Sequence, residues 1–228
     1  MQFQIKQFNL NNADILNSLP PGDKTALLAK AQQKKLKHGK LIYREGHKPN
    51  GAYILKKGKV KVYQTGQDGQ RQIMYIYTPG ELFGYRPIIS NEVHPVTAVA
   101  LEESVCDFIP RVHFLNCVQN SPALSQALLV SLSHEFSVWV NTISVFARYP
   151  VKSRVALALL VLQEKFRTKD KSNEVTLSRS ELASYIGTVK EMVVRVVQEL
   201  KRNKIVETQG SRIRILKPEE LKMIVRFY

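Results

Sequence analysis

Charged side chains at helical spacing occur between Ser178 and Leu200, the part of the chain with the clearest potential for chemistry. Glu191 and Arg195 are four residues apart, which would place them on the same side of a helix, one turn from each other. A helix that is buried on one side and presents Lys, Glu and Arg on the other meets the requirements for reading bases in a DNA major groove. An ordinary solvated ion pair on a surface helix is the alternative.

Two short helices joined by a tight turn are predicted to hold these side chains. Ser178 precedes Glu181 by three residues, and Thr188 precedes Glu191 by three residues. This is the spacing of the capping box, in which a hydroxyl and a carboxylate each satisfy a backbone N–H group at the start of a helix. Gly187 lies between the two helices, where a turn needs a positive φ or a close backbone approach.

Apolar stripes give each of these helices a face to bury. The stripe of the first helix consists of Leu182, Ala183 and Ile186. The stripe of the second helix, at spacing i, i+3, i+4, i+7, consists of Val193, Val196, Val197 and Leu200. The face opposite this second stripe carries Glu191, Val194, Arg195, Gln198 and Arg202, with Lys190 beside it in the first turn. The second helix is therefore predicted to be the one that contacts DNA.

A β-hairpin is predicted directly after the two helices. Residues 205–207 and 212–216 alternate as strands do, and the turn between them, 208–211, contains Gly210. Two helices followed by such a hairpin form a winged helix-turn-helix. Arg212 and Arg214 fall on one face of the second strand, where they could meet phosphates.

The charge of the chain favours a polyanionic partner. Its formal net charge is +15, and 44% of its residues are apolar, so the chain can bury a core. Residues 150–228 hold 17 Lys and Arg against 9 Asp and Glu, which leaves +8 over 79 residues. Residues 1–149 hold 17 against 10, which leaves +7 over 149 residues. The C-terminal third is thus about twice as positive per residue.

Short β-type runs separated by glycines fill the region from Lys40 to Phe108, after a helical lead-in predicted over residues 19–36. The runs are 41–43, 52–55, 60–63, 73–77, 96–101 and 105–109. Asp68-Gly69 is a strong hairpin signal between two of these runs. Many short strands with regular turns predict a β-roll, barrel or sandwich.

A long helix is predicted from Ala123 to about Phe146, and its apolar stripe repeats at steps of 4, 4, 3, 4 and 3 residues. The stripe consists of Leu128, Leu132, Phe136, Trp139, Ile143 and Phe146. We expect its first five residues to form a dimer interface, although the stripe could instead only cover its own β-roll. Pro150 ends the helix, and a second helix, 151–166, then opens the C-terminal domain after a hinge. A polar loop is expected at 167–174.

Residues 174–216 resemble the helix-turn-helix of the cyclic-AMP receptor/Fnr family of bacterial transcription regulators. Ala183, Gly187 and Val193 match the family pattern, and Lys190-Glu191 followed by Arg195 matches the start of its recognition helix, with Lys in place of Arg. The resemblance implies that Glu191 accepts a hydrogen bond from cytosine, that Arg195 binds guanine O6 and N7, and that Lys190 neutralises a phosphate. The full set expected to bind DNA is Lys190, Glu191, Arg195, Ser178, Arg179, Thr188, Gln198 and Arg212.

The β-rich region resembles the cyclic-nucleotide-binding β-roll of the same family through residues 38–46, 53–63, 78–84 and 99–104. The resemblance extends from about residue 19 to about residue 221. It implies an α+β chain with a β-roll sensor domain (1–121), a long dimerisation helix with a hinge (122–148) and a winged helix-turn-helix DNA-binding domain (149–228). A C₂ dimer would place two recognition helices about 34 Å apart on a pseudo-palindromic site. RNA polymerase is the further partner that the resemblance implies.

Cyclic AMP is not expected as the effector. Members that bind it use a Glu after a Gly, present here as Gly80-Glu81, and an Arg-Ser pair whose positions fall on His94-Pro95. The loss of the Arg removes a charge-assisted grip on the phosphate, and the apolar Trp139 stands where an adenine-contacting hydroxyl is usual. The pocket is either filled by side chains or takes a different small molecule. Its expected lining is Gly80, Glu81, Leu82, His94 and Trp139.

No metal centre and no cofactor are expected. The first 105 residues contain no cysteine, which excludes the N-terminal iron–sulfur cluster of the Fnr branch. His113 and Cys117 stand four residues apart with Cys106 nearby, but two such residues are more often bystanders than ligands. The longest apolar run, 155–162, has eight residues and is too short to span a bilayer, and no signal peptide is visible. A cytoplasmic protein with no membrane partner is the expectation.

Two other function classes compete with a DNA-binding regulator. A cupin-type metal enzyme needs a His-x-His motif with a nearby Glu, and the five histidines, His38, His47, His94, His113 and His134, never stand at that spacing. No nucleophile elbow or phosphate-binding loop is present either, so no enzymatic activity is expected. The other class is a β-roll that binds a small, cyclic-nucleotide-like molecule and has no role on DNA.

Overall fold

The computed structural model describes residues 4–167 and 173–226. The chain divides into two compact units. The first unit is Asn11–Glu135, and the second combines Met1–Leu10 with Phe136–Tyr228. The boundary falls inside the long helix, so this helix is shared by the two units and the first ten residues join the C-terminal one.

The first unit is a β-roll made of two antiparallel four-stranded sheets. Its strands are β1 (Gln32–Leu36), β2 (Leu41–Tyr43), β3 (Gly51–Lys57), β4 (Val60–Thr65), β5 (Arg71–Tyr77), β6 (Leu82–Phe83), β7 (Thr97–Ala100) and β8 (Ser104–Pro110). One sheet has the order β1-β8-β3-β6 and the other the order β2-β7-β4-β5. The Asp68-Gly69 turn joins β4 to β5 as predicted, and Gly69 has a φ of 76°.

The helices of the first unit pack against one of these sheets. They are α1 (Asp14–Asn17), α2 (Pro21–Leu28), α3 (Arg86–Ile89) and α4 (Arg111–Asn120), followed by the start of α5 (Pro122–Arg148). Leu27, Phe114 and Leu124 bury their side chains in one cluster with Ile54 and Leu82 of the sheet. All residues of this cluster belong to the first unit.

The predicted helical lead-in over residues 19–36 is wrong in its second half. Helix α2 ends at Leu28, and residues Gln32–Leu36 form the edge strand β1, paired with β8. The sequence QQKKL of this strand has no apolar periodicity, and four of its five residues are exposed. Its conformation is set by backbone pairing with β8, which a local sequence pattern does not reveal.

The second unit contains the C-terminal half of α5 and a small helical domain. The elements of this domain are α6 (Val151–Phe166), β9 (Glu174–Thr176), α7 (Arg179–Ile186), α8 (Lys190–Arg202), β10 (Val206–Gln209), β11 (Arg212–Ile215) and α9 (Pro218–Arg226). The three strands form an antiparallel sheet in the order β10-β11-β9. Helix α9 packs on α6, where Ser153 Oγ donates to the carbonyl oxygen of Ile224 at 3.0 Å.

The two ends of the long helix and α6 agree with their predicted positions to within two residues. The expected polar loop partly lies outside the described residues, and its last residue, Glu174, is the start of β9.

The N-terminal segment is held by this second unit. A 3₁₀ turn spans Ile5–Phe8, and Asn141 Nδ2 on α5 donates to the carbonyl oxygen of Gln7 at 3.1 Å. Lys165 on α6 is buried, and its Nζ donates to the carbonyl oxygen of Leu10 at 2.8 Å. None of the helices in the described ranges combines the length and the apolar character that a membrane span requires.

Candidate nucleic-acid interface

The predicted capping box at the start of α7 is present. The backbone N–H of Glu181 donates to Ser178 Oγ at 3.1 Å, and the N–H of Ser178 donates to Glu181 Oε2 at 3.2 Å. At the other end, Gly187 is left-handed with a φ of 67°, and Thr188 N–H donates to the carbonyl oxygen of Ala183 at 3.1 Å. This closing pattern ends α7 sharply and lets α8 start in a new direction.

Arg154 on α6 fixes the turn between the two helices. Its Nη1 donates to the carbonyl oxygens of Ile186 at 2.8 Å and Gly187 at 3.1 Å. Both carbonyls belong to the end of α7, where backbone oxygens lack a partner within the helix and carry partial negative charge. Partial burial lowers the pKa of Arg154, and a guanidinium in a protein keeps its charge. The sequence pattern did not single out this residue, because its partners are backbone atoms.

Arg154→Met should destabilise the C-terminal domain, because it removes a charged donor from two carbonyl oxygens. We expect the free energy of unfolding to fall by about 1–3 kcal/mol, measured by urea denaturation. Arg202→Met, at an exposed arginine, serves as the matched control and should change it by less than about 0.5 kcal/mol. Equal stability of the two variants would contradict the anchoring role of Arg154.

The second predicted capping box, between Thr188 and Glu191, is not formed. Helix α8 starts at Lys190, its N-cap is the extended residue Val189, and no side chain caps it. Thr188 lies one residue before the N-cap of α8, because its backbone N–H group completes the hydrogen bonding at the end of α7. The turn is thus one residue longer than the capping pattern predicts.

Helix α8 has the predicted two faces. Val193, Val196, Val197 and Leu200 are buried, with at most 5% of any of these side chains exposed. The opposite side exposes Lys190, Glu191, Arg195 and Gln198. Within residues 4–167 and 173–226, the side chains of Glu191 and Arg195 form no ion pair and no hydrogen bond. The surface ion pair that was the alternative is absent there, and both groups are available to bind.

The wing is formed by β10 and β11, with Gly210 at its tip in a left-handed conformation, φ 57°. Ile213 and Ile215 are buried, whereas Arg212 and Arg214 are exposed as predicted. Arg214 is already paired, since its Nη2 lies 2.6 Å from Glu174 Oε1. Of the two arginines, Arg212 is therefore the better candidate for a phosphate.

Three further residues predicted to contact DNA lie at the start of α7 and in the turn before α8. Arg179, in the first turn of α7, is half-buried, and its Nη2 lies 3.5 Å from the carbonyl oxygen of Gly210 at the wing tip. Burial lowers the pKa of Arg179. The Ser178 hydroxyl is engaged in the capping box, and Thr188 is half-buried in the turn. Together with Arg212 on the wing, the residues predicted to bind DNA outside α8 thus come from the start of α7, the turn and the wing.

Comparisons with known proteins agree with this architecture. The family model for the cyclic nucleotide-binding domain matches residues 33–121, and that for the Crp-like helix-turn-helix domain matches residues 153–224. The chain belongs to the Crp/Fnr family of transcription regulators. It is 29% identical over 190 residues to the transcriptional activator protein Anr of Pseudomonas protegens, a match that covers 82% of this chain and 77% of Anr. It is 28% identical over 189 residues to the nitrogen fixation regulation protein FixK of Rhizobium meliloti, covering 82% and 84%.

Solved structures of Crp/Fnr proteins share the fold. FixK2 from Bradyrhizobium japonicum superposes with a TM-score of 0.77 at 22% identity, covering 85% of this chain and 96% of FixK2. The β-sheet domain, the long helix and the C-terminal helix-turn-helix are thereby established for this chain.

Glu81, the nucleotide contact expected in this Crp/Fnr chain, is engaged by other residues of the β-roll. Glu81 is fully buried, and its Oε2 accepts hydrogen bonds from Thr78 N at 2.6 Å and Thr78 Oγ1 at 2.8 Å. Its Oε1 accepts hydrogen bonds from Tyr75 Oη and from Asn12 N. Leu82 is a core residue. In this arrangement both carboxylate oxygens of Glu81 tie the loop after β5 to Tyr75 and Asn12.

Aromatic rings fill the space between the two sheets of the β-roll. Tyr43 stacks on His94 with ring centroids 3.8 Å apart, and Phe83 stacks on Tyr53 at 5.2 Å and on Tyr77 at 5.0 Å. Gly80, φ 95°, has Ala13 within 3.2 Å of where a Cβ would stand. Arg86, at the edge of the ring cluster, donates to Tyr77 and to Glu135. The guanidinium of Arg86 is thus already engaged by side chains of the β-roll.

His94 is a neutral member of this ring cluster. Only 3% of the residue is exposed, and burial together with His47 lowers the pKa of His94 to about 4. An unfolded chain would protonate this imidazole near pH 6.5. Between pH 6.5 and 4 the unfolded state binds the additional proton, so His94 makes the folded protein less stable as the pH falls through this range.

His94→Phe should remove part of this pH dependence. We expect the free energy of unfolding of the wild type to decrease from pH 7 to pH 5, and the decrease to be smaller in the variant, because phenylalanine can stack on Tyr43 without titrating. Urea denaturation at both pH values measures this. His134→Gln, at an exposed histidine, is the control and should keep the wild-type slope. An unchanged slope in His94→Phe would contradict the assignment.

The residues predicted for the dimer interface divide into two groups on α5. Leu128 is 2% exposed and belongs to the core of the first unit, so its side chain is not available to a partner; Leu132 packs partly against the same core. Phe136 and Ile143 are 71% and 62% exposed, and Trp139 is half-buried. The exposed apolar face consists of Leu129, Phe136, Val140 and Ile143, at spacing i, i+7, i+11, i+14. Of the predicted stripe, Phe136 and Ile143 are thus exposed, whereas Leu128 is buried and its neighbour Leu129 is exposed instead.

No cluster of three or more histidine, cysteine, aspartate or glutamate side chains able to hold a metal exists in the described part of the chain. His113 Nε2 lies 2.9 Å from the carbonyl oxygen of Ala26 and 3.7 Å from Cys117 Sγ. Cys106 is buried, which raises the pKa of its thiol to about 12. These three side chains are part of the packing of the β-roll.

Proposed function

We propose that this chain acts as a homodimer that binds a pseudo-palindromic site in double-stranded DNA and reads its sequence with α8. The observation that carries the proposal is the side of α8 opposite its buried valines. Glu191 and Arg195 are exposed there, one turn apart, and neither is paired with the other. An unpaired acid and an unpaired guanidinium on a rigid helix are suited to the donor and acceptor pattern of a major groove.

Each predicted contact has a distinct role in this proposal. Arg195 binds O6 and N7 of a guanine, and Glu191 accepts a hydrogen bond from a cytosine amino group. Gln198, one turn further along, reaches a neighbouring base edge, and Lys190 neutralises a phosphate. The remaining contacts position the domain on the sugar-phosphate backbone of the DNA. They come from the start of α7, the turn and the wing, and involve Ser178, Arg179, Thr188 and Arg212.

Dimerisation follows from the same proposal. Two copies related by a C₂ axis through the exposed face of α5 would present two recognition helices to half-sites about 34 Å apart. The functional division into a sensor (1–121), a dimerisation helix (122–148) and a DNA-binding domain (149–228) belongs to this proposal. The proposal also includes that the chain has no enzymatic activity and that it acts in the cytoplasm, where the DNA is. It further includes that the chain contacts RNA polymerase at the promoter.

The β-roll is proposed to work without cyclic AMP. The engaged Glu81, the stacked His94 and the aromatic cluster support a pocket filled by side chains. A β-roll that binds a cyclic-nucleotide-like molecule and has no role on DNA is the second candidate, and calorimetry with cyclic AMP and cyclic GMP would detect it.

His94→Arg combined with Pro95→Ser tests the pocket, and we expect no nucleotide binding in this variant because the rings occupy the space.

Selection of bound fragments from genomic DNA at physiological salt tests the main proposal. We expect enrichment of one two-fold symmetric motif, with an affinity that falls steeply as the salt concentration rises. Metal analysis of the same purified protein tests a cupin-type enzyme, for which stoichiometric metal is expected. Enrichment of no motif, together with equal affinity for all fragments, would contradict sequence-specific binding.

A further inference from the structure

One branched apolar side chain lies on the polar side of α8. Val194 is half-buried and stands three residues after Glu191 and four before Gln198, beside Arg195. The core beneath this helix is filled by four other residues of α8, Val193, Val196, Val197 and Leu200. Val194 is therefore not one of the fully buried residues of α8, and β-branched residues are weaker helix formers than the straight-chain residues common on exposed helix faces.

The chemistry of valine limits what Val194 can read. It has no donor or acceptor, so in contact with the amino or carbonyl group of a base it would leave that group without a partner. In the major groove, the only apolar group that a base edge presents is the C5 methyl group of thymine. Cytosine, which also is a pyrimidine, has a hydrogen atom at that position. A valine held among base-reading side chains thus distinguishes thymine from cytosine.

We propose that Val194 contacts the C5 methyl group of one thymine in each half-site, next to the base pairs contacted by Glu191 and Arg195. This inference rests on the proposed function, because it requires α8 to lie in the major groove. It adds a specificity for which neither Glu191 nor Arg195 can account, since both act through hydrogen bonds.

Replacement of thymine by deoxyuridine tests the contact, because it removes the methyl group and leaves every hydrogen-bonding group of the base unchanged. Each thymine of the selected motif is replaced in turn, at the same position in both half-sites. For the wild type we expect one position at which affinity falls about fourfold per half-site, which corresponds to burial of about one methyl group. Val194→Ala should bind the original and the deoxyuridine site with equal affinity.

Two controls isolate the methyl contact from a general loss of binding. Gln198→Ala, on the same face, should bind more weakly but keep the full sensitivity to deoxyuridine at that position. For the wild type, a site carrying cytosine there should bind weakly, and 5-methylcytosine in its place should restore part of the affinity. In Val194→Ala, cytosine and 5-methylcytosine should bind alike.

The possible results separate this inference from the function on which it rests. A selected motif whose deoxyuridine variants all bind the wild type equally would overturn the role of Val194 alone, and so would a Val194→Ala variant that keeps the wild-type sensitivity. A selection that enriches no motif overturns the sequence-specific function, and the thymine contact with it.

Discussion

Arg195→Ala is expected to weaken binding to the selected motif by about 1–3 kcal/mol, or roughly 5- to 150-fold, while affinity for random DNA changes little. The guanidinium is exposed on α8, and no side chain of the described residues competes for it. Its removal leaves guanine O6 and N7 without their partner, a loss that depends on the base present. A phosphate contact would instead be lost on every sequence.

Fluorescence anisotropy with the selected motif, a motif carrying one changed guanine and a random duplex measures this difference. Lys190→Ala is the matched control from the same face, and it should weaken all three duplexes by a similar factor and reduce the salt dependence. Similar losses for Arg195→Ala on all three duplexes would reduce Arg195 to a phosphate contact. Since Arg195 is exposed, the variant should keep the stability of the wild type to within about 0.5 kcal/mol.

Helix α8 could be predicted from the sequence because its determinants are local. The box formed by Ser178 and Glu181, the glycine at position 187 and the valine stripe of α8 are all encoded within one or two helical turns. The structure adds what such patterns do not contain. Arg154 holds the turn through backbone carbonyls 32 and 33 residues away, and Thr188 is used by α7 and not by α8.

The β-roll was predicted in outline, and its ligand chemistry in part. Most strands show alternation or β-branched residues, whereas β1 is polar and depends on its register with β8. The resemblance placed Glu81 in a ligand pocket, but the structure binds this carboxylate to Thr78, Tyr75 and Asn12. The role of an acidic residue depends on which side of the loop its side chain faces, and hydrogen-bond partners such as Asn12, 69 residues earlier, are not visible in a sequence pattern.

The exposed apolar face of α5 leads to the second large effect. Leu129, Phe136, Val140 and Ile143 leave between 51% and 71% of their surfaces exposed on one face of the helix. A contiguous apolar face of this kind is characteristic of an interface, and the heptad-like spacing suits a second helix packed against it. Because these side chains are exposed in the single chain, a charge at Phe136 should not disturb the fold of the chain itself.

Phe136→Asp is therefore expected to yield a folded monomer at micromolar concentration, because two aspartates would face each other across the two-fold axis. Since each half-site then binds alone, affinity for the full motif should fall at least about 100-fold. Sedimentation equilibrium and DNA titration measure the two effects, and circular dichroism checks the fold. Val112→Asp, at an equally exposed valine on α4, is the control and should remain dimeric with wild-type affinity. A dimeric Phe136→Asp protein would place the interface elsewhere, and a monomer with wild-type affinity would separate DNA reading from dimerisation.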